Sequence, residues 1–496
     1  GGWPTTAFLA PDGSTLTGAT YLTPPQMQRA LDDIAEFYRT NKEQVAQRSA
    51  QLRDRKVAHK PSAPDDLRES MIVRLVEELI ESFDEEYAGF GDSPKFPQPE
   101  VHEFLLSEWR ATGQQRLYDM VARTMLAMAG GGMYDRVEGG FFRYSTTRDW
   151  SVPHFEKMAE DHAGLLRLLA QLVQVAPHDF RTTLVSATNY VRTVLRDPRT
   201  GLFAGSQDAD EEYYELPLEE RRKLTTPYVD RTSYTNWTCA LAGALAIAGR
   251  ALDDDALVNE ALAALDYTHD RLLDADGLVY HFVADDAAPQ VRGLLTDQVA
   301  YLRAMLDAHE IAGQARFLER AQALCDRIVS RFEAQDGGFY DRIAIESTIG
   351  RLDFADRPIV DNGLLAESLL RLAALTGIET YAETAARTLL LFARTYAAAS
   401  PFAATYARAL RRYLSPDVSV RIVGPAGETD EFREAAWRLP GVSASIRTVA
   451  PDAAASLGLP AAPSPAAYVC AGTVCGAPAT EPAALRAAYD AVILSH

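Results

Sequence analysis

The sequence is poor in cysteine, in basic residues and in unbroken apolar runs, and each shortage excludes something. Four Cys in 496 residues cannot make the disulfide framework of a small secreted scaffold. No stretch approaches the roughly 18 consecutive apolar residues that a membrane helix needs. Forty-nine Lys and Arg stand against 69 Asp and Glu, a net charge of -20. A field of that sign repels phosphate backbones and anionic lipid, so neither nucleic acid nor a membrane surface is an expected partner. Gly1-Gly2-Trp3-Pro4 has no initiator Met, basic n-region or apolar h-region, so no signal peptide is read there and the chain reads as starting in mid-domain. The remainder, 47% apolar and 24% charged, is ordinary for a globular protein of about three domains. A cytoplasmic protein is expected.

Residues 5–40 read as strand, turn, strand and helix, within a first unit of residues 1–45. Thr5 to Ala10 ends at Pro11-Asp12-Gly13, where Pro presets φ and Gly supplies the positive φ of a tight turn. Ser14 to Tyr21 returns as the second strand. Pro24-Pro25 then opens a helix with Met27, Leu31, Ile34, Ala35 and Tyr38 on one face. A hairpin and one helix are marginal alone, so this piece needs something to dock on. Residues 46–66 are polar and close on Pro61-Ser62-Ala63-Pro64; they read as a linker.

From 67 to 414 helices alternate in character. One set begins near Pro99, Asp161, Asn236, Asp297 and Asp361, at steps of 61 to 75 residues, with a sixth at Pro401. These are apolar nearly all round, as in Leu165 to Val173 and Ala240 to Ala248, and so read as buried. Between them lie amphipathic stretches near 67–83, 115–129, 180–196, 256–273, 314–334 and 379–397. Six outer and six inner helices describe a closed (α/α)6 barrel; an open solenoid of helix pairs shares the alternation. Residues 415–496 alternate short strands and helices, a small α/β tail. The fold class is therefore mainly α.

Four long loops enter the inner helices, and each repeats a glycine-aromatic element. The first carries Tyr134, Asp135, Arg143, Tyr144 and Trp150, then His154, Glu156, Lys157 and Asp161; the second carries Asp208 and Asp210. The third holds His281 before Asp297, and the fourth holds Tyr340 before Asp361. In a closed barrel all four meet at one mouth. Aromatic faces stack on sugar rings, and paired acids serve as general acid, base or nucleophile. A small-molecule carbohydrate is the expected partner. His154, Glu156, Asp161, His281 and Asp297 are read as catalytic; Tyr134, Asp135, Arg143, Tyr144, Trp150, Lys157, Asp208, Asp210, Tyr340 and Asp361 are read as substrate-binding.

The plain alternative is structural. Asp161, Asp297 and Asp361 stand where helix N-caps belong, and a His in an apolar loop is often a packing residue. No metal is expected: His154 and His162 are badly spaced, and Asp208-Ala209-Asp210 lacks an EF-hand glycine. No cofactor motif, Walker loop or nucleophile elbow occurs. Cys239 and Cys325 lie in helical apolar patterns. Cys470 and Cys475 are half a zinc site at most; two reduced thiols are expected there, with a redox disulfide the alternative.

Several of these segments together resemble the spermatogenesis-associated, thioredoxin-domain-containing protein family. They are Gly1-Gly2-Trp3-Pro4, Gly89-Phe90-Gly91 with Pro94-Lys95-Phe96-Pro97, Gly130 to Tyr144, Val152 to Met158, Asp208-Ala209-Asp210, and Ala467 to Cys470 with Cys475. The resemblance implies a thioredoxin-like N-terminal domain followed by a barrel of the six-hairpin glycosidase and N-acylglucosamine 2-epimerase type. By it, Pro4 matches a cis-proline loop, residues 5–40 the last hairpin and helix, and the cysteine-bearing redox half lies upstream of this chain. The expected function is a sugar epimerase, isomerase or glycoside hydrolase. The alternative is a redox-linked or binding module with a non-catalytic barrel.

Overall fold

The structure is a computed structural model that describes residues 5–54, 66–284, 287–344, 355–415, 418–425, 427–439, 445–459, 465–472 and 474–493. Strands β1 (Thr6–Leu9) and β2 (Thr15–Ala19) pair antiparallel around the Pro11-Asp12-Gly13 turn, and α1 (Pro24–Thr40) follows. The hairpin and helix form as expected, yet α1 buries none of its residues, so no docking is seen. The Trp3–Pro4 bond lies outside the described residues. The polar stretch read as a linker is helical as α2 (Lys42–Asp54). Its Lys, Glu, Gln, Ala and Arg are good helix formers that need no apolar stripe.

The outer helices are α3 (Glu69–Ser82), α5 (Gln115–Gly130), α7 (Pro177–Tyr190), α11 (Asp255–Arg271), α13 (Ala315–Phe332) and α15 (Glu379–Phe392). Their partners are α4 (Pro99–Thr112), α6 (Ala159–Val175), α10 (Thr235–Leu252), α12 (Leu295–Ala312), α14 (Ile359–Thr376) and α16 (Ala404–Leu414). Two one-turn helices, α8 (Glu211–Tyr214) and α9 (Leu218–Arg221), decorate the loop before α10. Each outer helix buries one stripe. On α13 this is Phe317, Ala321, Leu324, Cys325, Ile328 and Phe332, each large side chain worth about 1.5–3 kcal/mol on burial.

The inner helices pack in sequence, α4 on α6, α6 on α10, α10 on α12, α12 on α14, α14 on α16, and α16 returns to α4 and α3. The ring is closed, an (α/α)6 barrel. Its seam is ionic as well as apolar: Arg411 pairs with Glu108 of α4 and Glu69 of α3, both at 2.7 Å. Two inner helices touch at Gly243 of α10, where a Cβ would stand 2.9 Å from the Asp307 carboxylate of α12.

A repeated turn sends the chain from an outer helix toward the mouth. Asp84, Asp135, Asp197 and Asp274 each accept from backbone N–H groups two to four residues on. A glycine at positive φ then lets the chain reverse, as at Gly139 (83°) and Gly201 (77°). An aromatic or apolar residue closes the turn through isolated bridges such as Tyr134 to Phe141 and Arg196 to Phe203. This is the physical content of the glycine-aromatic repeat.

Short strands stitch the mouth loops. β3 (Tyr144–Ser145) pairs with β4 (Pro153–His154). β5 (Lys157–Met158), β6 (Ser206–Gln207) and β7 (Val229–Asp230) form one ladder. β8 (Ser233–Tyr234), β9 (Tyr280–Val283) and β10 (Gln290–Arg292) form another. The tail has β11 (Val418–Val423), β12 (Ser445–Val449), β13 (Ala466–Ala471) and β14 (Val474–Cys475), ordered β12-β11-β13-β14, with helices α17 (Asp430–Trp437) and α18 (Leu485–Ile493). β11 runs parallel to β12 and antiparallel to β13. Cys470 and Cys475 are joined by a disulfide, correcting the expectation of two reduced thiols, because the hairpin sets them directly opposite each other. Among the described residues no helix is long and apolar enough to cross a membrane.

Candidate functional site

The first turns of the inner helices carry a crown of carboxyl groups. Glu100 opens α4, Glu160 and Asp161 open α6, Asp297 opens α12 and Asp361 opens α14. The capping reading fails for Asp161, Asp297 and Asp361. Each lies inside its helix, whose N-caps are Met158, Leu294 and Pro358 without side-chain cap bonds. Asp210, read as substrate-binding, instead caps α8 by accepting from Tyr213 N–H.

The crown has two groups joined by the start of α10. In the first, burial pushes the Asp161 carboxyl well up, nearby Glu160 pushes the same way, and Arg143 only partly opposes. Burial raises Glu160 too, against Arg143 and a hydrogen bond from Trp237. Glu100 is raised by burial and by the charges of Glu103 and Glu160. In the second, His281 Nδ1 lies 3.0 Å from Asp297 Oδ1. That hydrogen bond raises the imidazole, while burial raises the fully buried Asp297 carboxyl against the pull of His281. Asp297 also accepts from Asn236 N–H at 3.1 Å. Asp361 is pushed up to about 6 by burial, with Asp297 and Asp341 adding to it. Asn236 and Trp237 are neighbours on α10, one touching each group. Glu160 and Asp297, 137 positions apart in the chain, thus both contact the first turn of α10.

Aromatic and polar side chains rim this crown. His154 stacks on Tyr144 at 5.0 Å, and Tyr144 packs on Phe96 at 4.9 Å. Arg143 donates to Glu156 at 2.8 Å, and His154 Nε2 lies 3.8 Å from the same carboxylate. Tyr234 packs on Trp237 (4.6 Å) and His281 (5.7 Å). Tyr340 is exposed beneath the Arg357 guanidinium.

Other expected site residues belong to the scaffold. Lys157 is wholly buried, donates to Asp135 at 2.8 Å and to Gly139 O at 2.7 Å, and sits among the rings of Tyr190, Tyr214 and Phe142. Burial pulls its ammonium down to about 8. Asp135 would be raised by the same burial, but Lys157 and Arg221 hold it down. Neither can touch a substrate. Trp150 is fully buried and donates to Tyr87 O and Ala88 O. Tyr134 packs on Phe141 beneath the first loop, and burial raises its phenol. Asp208 is exposed on the loop before α8. Polar side chains in a glycine-aromatic loop pair with one another, and spacing alone cannot show which way they turn.

Glu100, Glu160, Tyr234 and Trp237 were not among the expected residues. The signal was there: Glu100 follows the Pro99 that opens the first inner helix, as Asp161 and Asp297 begin theirs. Among the described residues no group of three or more His, Cys, Asp or Glu is placed to hold a metal ion.

No established family profile matches the chain. A mouse protein, spermatogenesis-associated protein 20, is 33% identical over 225 residues, 42% of this chain. The human protein of that name is 34% identical over 226 residues. These are its homologues. The resemblance carried by the motifs is thereby borne out, although the match spans only 28% and 29% of those proteins' lengths. Among solved structures the chain is similar to a D-mannose isomerase (TM-score 0.54, 11% identity, 66% of this chain and 87% of that one). It is also similar to cellobiose 2-epimerase from Bacillus thermoamylovorans (0.52, 12%, 65% and 86%) and to an unsaturated glucuronyl hydrolase specific for heparin (0.51, 14%, 71% and 97%). At such identities the likeness is one of fold: a barrel shared with sugar-processing enzymes.

Proposed function

We propose that this protein is a carbohydrate-active enzyme performing acid–base chemistry on a sugar at the carboxyl crown, epimerisation or isomerisation before hydrolysis. The observation that carries this reading is the His281–Asp297 dyad, with Asp297 bonded to Asn236 at the start of α10 and Glu160, the neighbour of Asp161, bonded to Trp237 beside it. Burial and the neighbouring Glu160 make Asp161 hold its proton more tightly than an ordinary carboxyl does, which suits a general acid. His281, oriented by Asp297 and raised from its ordinary value, exchanges a proton near neutral pH, which suits a base that takes a proton and returns it. His154 on Tyr144, with Tyr234 and Trp237, offers aromatic surface for a sugar face. The names of the structurally similar isomerase, epimerase and hydrolase support the substrate class.

The test is a panel of reducing sugars and aryl glycosides followed by NMR. A new epimer or ketose is the expected product; a released alcohol would assign hydrolysis instead. Asp161→Asn and His281→Gln should each lower kcat/KM by at least about a hundredfold with folding intact. The rate should climb with pH as His281 loses its proton, with a midpoint above that of a free imidazole. Sugar binding without turnover, or full activity in both variants, would leave a binding module.

A further inference from the structure

We propose that Cys470–Cys475 is a reversible dithiol/disulfide site that exchanges with an external dithiol through Cys475. The bond adds little that the sheet lacks. Cys470 and Cys475 are already directly opposed in the β13–β14 hairpin, and β13 is paired along its other edge with all six residues of β11. The loop it closes spans five positions, at the short end, where a cross-link removes least freedom from the unfolded chain.

The two sulfurs also differ in access. Cys470 is fully buried between strands, under Val423, Val449 and Tyr468. Cys475 lies half-buried on β14, the outermost strand. It lines a cavity of about 330 Å³ together with Gly476, Pro478, Ala484, Ala488 and Val492. A thiolate from solution can therefore reach Cys475 more readily than the fully buried Cys470. Residues 415–496 hold no other cysteine. The pair is thus placed to receive exchange from another dithiol.

The step balances. The attacking thiolate forms a bond to Cys475 Sγ, the Cys470–Cys475 bond breaks, and Cys470 leaves as a thiolate that takes up a proton in its buried site. The second thiol of the dithiol then attacks its own partner sulfur, releasing Cys475 as a thiol. Two electrons enter the protein, and the external dithiol ends as a disulfide.

The experiment uses the full chain, dithiothreitol as the dithiol, and maleimide tags located by mass spectrometry. Reduction without denaturant should expose one taggable thiol, Cys475, with an unchanged circular dichroism spectrum; Cys470, fully buried, should become taggable only in urea, as should Cys239 and Cys325 in the barrel. Oxidised glutathione should reform the bond. Mixed disulfide with glutathione should accumulate on Cys475 in Cys470→Ala and not on Cys470 in Cys475→Ala. A bond that yields only in urea, or glutathione trapped on Cys470, would overturn the assignment. Should either variant fail to fold, the wild-type tagging decides alone.

Discussion

Asp361 shows what the crown costs the fold. Its carboxyl rises from 3.8 to about 6, so between those values the folded chain binds more protons than the unfolded one. Stability then falls as pH rises through that window and stays lower above it, by up to about 3 kcal/mol at about 1.4 kcal/mol per pH unit. Asp361→Asn should remove that dependence. In urea titrations the variant should gain on the wild type between pH 4 and pH 7; an equal gain at both would show that the Asp361 carboxyl is not raised in the folded chain. Raised acids of this kind were legible as residues that begin inner helices, since Asp161, Asp297 and Asp361 share that place. Asp135, Lys157 and Trp150 were misread because a loop sequence does not say whether a polar group faces the cavity or its own scaffold.

The excursion from β6 to β8, bearing α8 and α9, is tied to the first mouth loop through Arg221, Tyr213 and Tyr214. Arg221 is buried, donates to Asp135 at 2.8 Å and Glu138 at 2.9 Å, and also reaches Leu216 O and Tyr214 O. Beneath it Tyr213 donates to Glu138 at 3.0 Å. Removing one partner of such a buried pair leaves the others uncompensated. Arg221→Ala should therefore free this excursion before the barrel melts, giving early proteolytic cleavage between residues 211 and 224 while the helical signal is retained. Cleavage no faster than in the wild type would show the segment is held otherwise. Apolar periodicity showed the twelve barrel helices well because each needs a stripe or a full apolar surface. It missed α2, which has neither, and it could not place α8 and α9, whose single turns are made by side-chain pinning.

Charge fills the axis of the barrel below the crown. Arg167 pairs with Asp307 and Glu103, Arg371 with Asp307 and Glu310, and Arg408 with Glu103 and Glu367. Five of the six inner helices contribute, and Gly243 of the sixth makes room. Sequence reading took these helices as apolar all round, because one charge per turn hardly disturbs the pattern. Arg408→Met would strand Glu367 and leave Glu103 to Arg167 alone, and should cost about 3–5 kcal/mol; adding Glu367→Gln should recover part of the loss in equilibrium unfolding. A cost equal in both variants would mean the network is not coupled. The closing seam has a consequence for synthesis. Glu108 meets Arg411 only after 303 further residues, which at about 5–20 residues per second keeps the ribosome busy for roughly 15–60 s. Until then the flank of α4 that α16 will cover stays uncovered on the nascent chain. The first helical hairpin is the part of this molecule in longest need of a chaperone.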